Sequence, residues 1–264
     1  MQSETVISGS ATRSTSPASA NNSPENNNPR ENNDPREKLI VALDVSTASA
    51  AQKLVTAVGD SALTYKVGMQ LYTAEGPSLV RDLVSSGRRV FLDLKYHDIP
   101  NTVAAAVKEA AQLGLSFLTV HTLGGEKMLL AASEAARAAN PDLKVLGVTV
   151  LTSMGADDLA QLGISGSLID EVLRLATLAL ASGCHGIVAS AREAPELRKH
   201  LGNKFALVTP GVRPAGAGHA DQVRVVTPAQ AIAAGASHIV VGRPITDAPD
   251  PAAAAKAILT EISS

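Results

Sequence analysis

From Leu39 onward the chain alternates two kinds of stretch. Short runs of Val, Ile, Leu and Phe recur at "LIVALDV" (39–45), "TYKVG" (64–68), "RVFLDLK" (89–95) and "FLTVHT" (117–122). They continue at "KVLGVTVL" (144–151), "GIVAS" (186–190), "ALVTPGV" (206–212) and "HIVVG" (238–242). Runs this short, apolar and β-branched, predict buried parallel strands. Between them lie Ala/Leu-rich stretches with apolar residues at helical spacing, such as "TVAAAVKEAAQLG" and "SLIDEVLRLATLALASG". Glycine closes several of these stretches: Gly87, Gly114, Gly183, Gly202 and Gly235 stand at C-cap positions. Gly59, Gly76 and Gly163 read as turn residues.

Strand alternating with helix implies parallel pairing through right-handed crossovers. Eight strands over roughly 225 residues favour a closed (β/α)8 TIM barrel over the competing doubly wound open sheet. The barrel predicts that polar residues gather at the carboxyl ends of the strands. Asp44, Lys66, Asp93, Lys95, His121, Thr152, Arg213 and Arg243 all fall within or just after strand ends. Residues 1–37 break the pattern: "NNSPENNNPRENNDPRE" contains no apolar residue, and Ser, Thr and Ala fill the stretch before it. Such a segment cannot bury enough surface to offset its ordering entropy, so residues 1–37 are expected to be a disordered tail and 38–264 the barrel.

Composition narrows the function. A formal net charge of −2, without a basic stripe, argues against a nucleic-acid partner. The apolar stretches are short and interrupted, so no membrane segment is expected. The amino terminus lacks the basic region and apolar core of a secretory signal, and Glu4 and Glu25 speak against a transit peptide, which points to the cytoplasm. A single cysteine, Cys184, agrees with a reducing compartment and reads as a small buried hydrophobe.

"DLKYHDIPNT" (93–102) concentrates the chemistry. Asp93 and Lys95 are two apart in a strand and so should leave the same face. With Asp44 after strand one and Lys66 in strand two they form an array of alternating sign, and Asp98 stands nearby. One reading is an ion-pair network that closes the barrel. The other is a catalytic array, favoured because buried pairs stabilise less than apolar packing does. A second constellation is "TPGVRP" (209–214) with "VGRPI" (241–245), each placing Gly and Arg directly after a strand. The loops after strands seven and eight are the common phosphate site of this barrel. There, glycine lets backbone N–H groups approach the anion and Arg243 adds a charged fork. His121 could line the pocket or be a hydrogen-bonded wall residue, and His97 could orient Asp98. No Cys/His spacing suits zinc and no glycine pattern suits a nucleotide loop, so neither metal nor organic cofactor is expected.

Together "ALDV", "YKVG", "DLKYHDIPNT", "VTVLTSM", "TPGVRP" and "VGRPIT" resemble the orotidine 5′-phosphate decarboxylase family, in order and over about residues 39–262. The resemblance implies decarboxylation of orotidine 5′-phosphate to uridine 5′-phosphate, the last step of de novo pyrimidine synthesis, with no cofactor. It also implies a homodimer with shared active sites. On this chain Lys95 would protonate C6, Asp93 would face the substrate carboxylate, and Lys66 and Asp44 would hold the ribose and the charge network. Asp98 and Thr102 would reach the partner's site, and Thr152 the pyrimidine ring. Arg213, Gln222, Gly242 and Arg243 would surround the phosphate. One departure is that Ala220 stands where the family usually has glycine, before the Asp-Gln pair. Magnesium-dependent sugar-phosphate enzymes of the superfamily share an Asp-x-Lys-x-x-Asp pattern, but "IPNT" after Asp98 argues against them. Intact Asp93 and Lys95 argue against a barrel that only binds nucleotides.

Overall fold

A computed structural model describes residues 34–214 and 226–263. Eight parallel strands close a barrel in sequence order, the first pairing with the last. They are β1 (Leu39–Ala42), β2 (Thr64–Gly68), β3 (Arg89–Tyr96) and β4 (Phe117–His121), then β5 (Lys144–Val148), β6 (Gly186–Val188), β7 (Ala206–Thr209) and β8 (His238–Val241). The expected TIM barrel is therefore the observed fold.

Strand alternation divides the core in two. Ile40, Ala42, Phe91, Phe117, Leu146, Val208 and Val240 fill the barrel interior. Their neighbours Leu39, Val41, Val90, Leu92, Leu118, Val145, Leu207, Ile239 and Val241 face the surrounding helices instead. Each strand thus has a fixed inward parity, and continuing it toward the carboxyl end brings Asp44, Lys66, Asp93, Thr119 and Gly242 to the mouth.

The helices are α1 (Ala48–Val58), α2 (Met69–Ser85), α3 (Pro100–Ala111), α4 (Gly125–Ala139), α5 (Ala156–Gln161) and α6 (Leu168–Ala181). After them come α7 (Ala194–Leu201), α8 (Pro228–Ala233), α9 (Arg243–Thr246) and α10 (Pro251–Ser263). Their starts are locally encoded: Thr47 caps α1, Ser167 and Asp170 form a capping box on α6, and Thr227 with Gln230 does the same on α8. The five glycines expected as C-caps all have positive φ, and Gly202, for example, follows α7 at 77°. Gly76 at φ 67° divides α2 into two pieces, with Pro77 opening the second. No helix among the described residues is long and apolar enough to cross a membrane.

Two expectations need adjustment. The last residues assigned to the tail, Asp34 to Glu37, instead form a capped turn on the barrel. The Asp34 carboxylate accepts from the Arg36 backbone and guanidinium, Arg36 donates to Asp60 O at 3.2 Å, and Glu37 pairs with Arg89. Several strands are also shorter than their apolar runs. Leu43, Val150 and Val212 are buried, yet they lie beyond the ladder, where the chain is turning into the loops of the mouth.

Candidate active site

Four charged side chains meet where β1, β2 and β3 end. Lys66 Nζ lies 3.1 Å from Asp44 Oδ1 and 3.9 Å from Asp93 Oδ2, and Lys95 Nζ lies 2.9 Å from Asp93 Oδ1. The array of alternating sign is thus a continuous chain of contacts. Asp93 and Lys66 are largely buried at 16% and 14% side-chain exposure, whereas Asp44 stands at the rim at 57%. Such placement costs solvation, which the mutual pairing offsets only in part. Gly68 and Gly242 make room for the array. A Cβ on Gly68 would lie 3.1 Å from Lys66 Nζ, and one on Gly242 would lie 3.3 Å from Asp44 Oδ2.

The Asp93–Lys95 contact does not arise from simple alternation. Leu92 pairs with Leu118 and Tyr96 with Val120, so Asp93, Leu94 and Lys95 lie opposite the single residue Thr119. This is a bulge, and Lys95 within it is the only non-glycine residue with positive φ among those described, at 51°. Left-handed backbone costs a non-glycine residue about 1–2 kcal/mol. Such strain persists where the surroundings hold it, and it concentrates at functional sites.

Beside this pair lies a cavity of about 170 Å³, lined by Asp93, Lys95, Val150, Thr152, Val188 and Pro210, among others. It combines an apolar wall from β5, β6 and β7 with one charged side, a combination that suits a flat, polar-edged ring. The structure therefore brings Thr152 to the same cavity as Asp93 and Lys95. Val150 and Pro210 also line it and were missed in the sequence, because apolar residues at strand ends carry no chemical signal.

The remaining candidates are placed differently. Arg213 follows β7, is buried at 8% exposure, and comes two residues after Gly211, whose φ is 74°. Gly242 follows β8 as the residue before the short helix α9, which Arg243 opens. These two segments flank neighbouring strands, since β7 pairs with β8. Asp98 and Thr102 are exposed and do not line the cavity. Asp98 accepts from the Ile99 N–H at 2.6 Å, and Ile99 is itself 66% exposed. Both precede Pro100, which starts α3 and leaves Ile99 extended. Gln222 lies outside the described residues.

His121 is a wall residue. Its Nδ1 accepts from the Leu123 N–H at 3.4 Å, and its ring stacks on His97 at 5.5 Å. Burial, then the neighbouring His97 and Lys95, hold its pKa below the usual imidazole value. It therefore adds no further positive charge beside Lys95 near neutral pH. Cys184 is buried, and burial pushes its thiol up to about 11, which leaves it inert.

The chain's relatives point the same way. Residues 37–258 match the model of the "Orotidine 5′-phosphate decarboxylase / HUMPS family". Over 227 residues the chain is 50% identical to an orotidine 5′-phosphate decarboxylase from Hydrogenovibrio crunogenus, covering 86% of this chain and 94% of that protein. An orotidine 5′-phosphate decarboxylase from Halorhodospira halophila is 52% identical, with 86% and 96% covered. Among solved structures, orotidine 5′-phosphate decarboxylase from Lactobacillus acidophilus superposes with a TM-score of 0.79 at 40% identity, covering 86% of this chain and all of that one.

Proposed function

Because the chain belongs to the orotidine 5′-phosphate decarboxylase / HUMPS family, we infer that it converts orotidine 5′-phosphate to uridine 5′-phosphate and CO₂, the final step of UMP synthesis. The observation that carries the site assignment is the unbroken array Asp44–Lys66–Asp93–Lys95 beside a ring-sized cavity.

The chemistry follows from the charges. Breaking the bond between C6 and the carboxylate leaves an electron pair on C6, which the pyrimidine ring delocalises poorly. The Lys95 ammonium beside the cavity stabilises that charge and then transfers its proton to C6, which gives UMP. Solvent later restores the proton on Lys95. A fixed charge aimed at a developing anion is worth more here than in water, because the site is already organised around it. Asp93 faces the substrate carboxylate, and their repulsion is relieved as neutral CO₂ departs. Lys66 and Asp44 hold the ribose and keep the array in register.

Arg213, Gln222, Gly242 and Arg243 take the phosphate, through backbone N–H groups and guanidinium forks. That contact is remote from C6, so its binding energy can be used at the transition state. Thr152 meets the pyrimidine edge. Asp98 and Thr102, exposed on this chain, complete the site of a second copy across a two-fold interface. The single buried thiol accords with a cytoplasmic enzyme.

Two measurements test this reading. Purified protein in chelator should consume orotidine 5′-phosphate, followed by its absorbance. Activity that required magnesium would move the chain to the sugar-phosphate branch. Lys95→Ala and Asp98→Ala homodimers should each be nearly inactive, whereas subunit exchange between them should restore turnover. In each heterodimer one site then regains both groups, while the other lacks both. No recovery despite heterodimers confirmed by mass tag would place Asp98 outside a shared site.

A further inference from the structure

We propose that Thr119 is a positioning residue for this reaction, one hydroxyl that holds both the Lys95 backbone and the Asp93 carboxylate. The inference rests on the reading of Lys95 as the proton donor. Thr119 lies on β4 with no exposed surface, at the inward parity set by Phe117. It is the one residue of β4 opposite the three-residue bulge in β3. A bulge breaks the ladder and leaves backbone groups without their strand partners. Here the side chain takes that part: Lys95 N–H donates to Thr119 Oγ1 at 2.9 Å. The same oxygen donates its hydrogen to Asp93 Oδ1 at 3.0 Å. Asp93 Oδ1 is also the atom that accepts from Lys95 Nζ at 2.9 Å.

These contacts form a closed circuit from Lys95 N–H through the Thr119 hydroxyl and the Asp93 carboxylate back to the Lys95 ammonium. Each hydroxyl bond constrains a different variable. The bond from Lys95 N–H holds a backbone that a lysine does not adopt freely. The bond to Asp93 fixes the carboxylate's rotation, and with it the position of the ammonium that must meet C6. A buried hydroxyl that accepts from one side and donates to the other uses both of its directional capacities. Valine has nearly the same shape and can do neither. Proton transfer to carbon depends steeply on the donor's placement, so loosening this circuit should act on the chemical step. The phosphate contacts lie on other strands and should be unaffected.

The test compares wild type, Thr119→Val and Thr119→Ser with orotidine 5′-phosphate, with turnover expressed per site that binds UMP in a calorimetric titration. That normalisation removes any fraction of misfolded chains. Thr119→Val should lose on the order of 10- to 100-fold in kcat per competent site, the range for a hydrogen bond to a charged group, with UMP affinity changed less than about threefold. Thr119→Ser should recover most of that loss. Wild-type kcat in Thr119→Val overturns the proposal, as does a Thr119→Ser variant no better than Thr119→Val. If Thr119→Val does not fold, Thr119→Ala removes the hydroxyl without adding bulk, and wild-type kcat in it overturns the proposal equally. Absence of turnover by wild type would instead refute the assigned reaction, so the two failures are distinct.

Discussion

The two ends of the barrel both carry charge around an open space, yet they hold it in different ways. At the amino-terminal end Glu37, Arg89, Lys144 and His238 line a cleft of about 510 Å³, three times the volume of the cavity beside Lys95. Its charges lie on the rim: Arg89 is 48% exposed and pairs with Glu37, and Lys144 rests 5.7 Å from the Phe117 ring centre. The backbone there is unstrained, since none of these residues has positive φ. At the carboxyl end Lys66, Asp93 and Lys95 are largely withdrawn from solvent and contact one another in sequence, with Asp44 at the rim. Asp93 and Lys95 are mounted on a bulge where the lysine is left-handed. Volume and charge alone would therefore select the amino-terminal end, opposite the proposed site. Convergence of opposite charges on strained backbone is the more discriminating sign.

The largest expected effect is at the mouth. Lys95→Ala should lower kcat at least about 10⁴-fold, because in the proposed mechanism it removes both charge stabilisation and proton delivery. UMP binding should remain measurable, since the proposed phosphate contacts follow β7 and β8. Substantial turnover by this variant would end the mechanism and erase the distinction between the two ends.

The amino-terminal end should instead report on stability. His238 lies against Phe117 with ring centres 5.2 Å apart, and its Nδ1 is buried without a hydrogen-bond partner. Burial, followed by the nearby Lys144, pushes its pKa down to about 4 from the usual 6.5. The unfolded chain therefore takes up this proton first as pH falls. The stabilisation is fully present above about 6.5 and is lost as pH falls through about 4, amounting to at most about 3 kcal/mol. His238→Phe keeps the aromatic contact and cannot titrate, so its urea midpoint should fall less than wild type's between pH 7 and pH 4.5. Parallel curves would show that His238 does not couple protonation to folding. kcat at neutral pH should not change in either case.

Arg243→Ala returns to the mouth with a smaller effect. Affinity for orotidine 5′-phosphate should fall by about 1.5–3 kcal/mol, while affinity for the phosphate-free nucleoside stays nearly constant. Equal losses for both ligands would make Arg243 a structural residue of α9.

The legibility of the molecule in its sequence followed the same division. "TYKVG" matches β2 residue for residue, and its pairing with β3 runs the whole length from Thr64 to Gly68. "LIVALDV", "KVLGVTVL" and "ALVTPGV" overran β1, β5 and β7 because an apolar run records burial rather than hydrogen bonding. The charged residues at the mouth could be read because a buried charge is costly and therefore informative. The bulge could not: left-handed backbone is usually announced by Gly or Asn, and here the residue is Lys95. Thr119 was hidden for the opposite reason, since a β-branched residue within a strand draws no attention. The four-residue α9 is too short to show helical periodicity.

The smallest expected effect tests whether the two ends are independent, and it concerns Asp34 to Glu37. Residues 1–33 carry no apolar periodicity, and a chain beginning at Asp34 should match the full chain in both melting temperature and kcat. Starting instead at Lys38 removes the Asp34 cap, the Arg36 contact to Asp60 O, and the Glu37–Arg89 pair. These contacts are partly solvated, and pairs of this kind are worth about 0–1 kcal/mol. The shorter chain should therefore melt no more than about 2–4 °C lower, as expected for a domain of this size. Its kcat should be unchanged, because the removed turn lies at the amino end of β1 while Lys95 lies at the carboxyl end of β3. A fall in melting temperature after the first cut would mean that residues before Asp34 stabilise the barrel. A fall in kcat per folded chain after either cut would mean that the amino-terminal end contributes to organising the mouth, and the contrast between them would have to be redrawn.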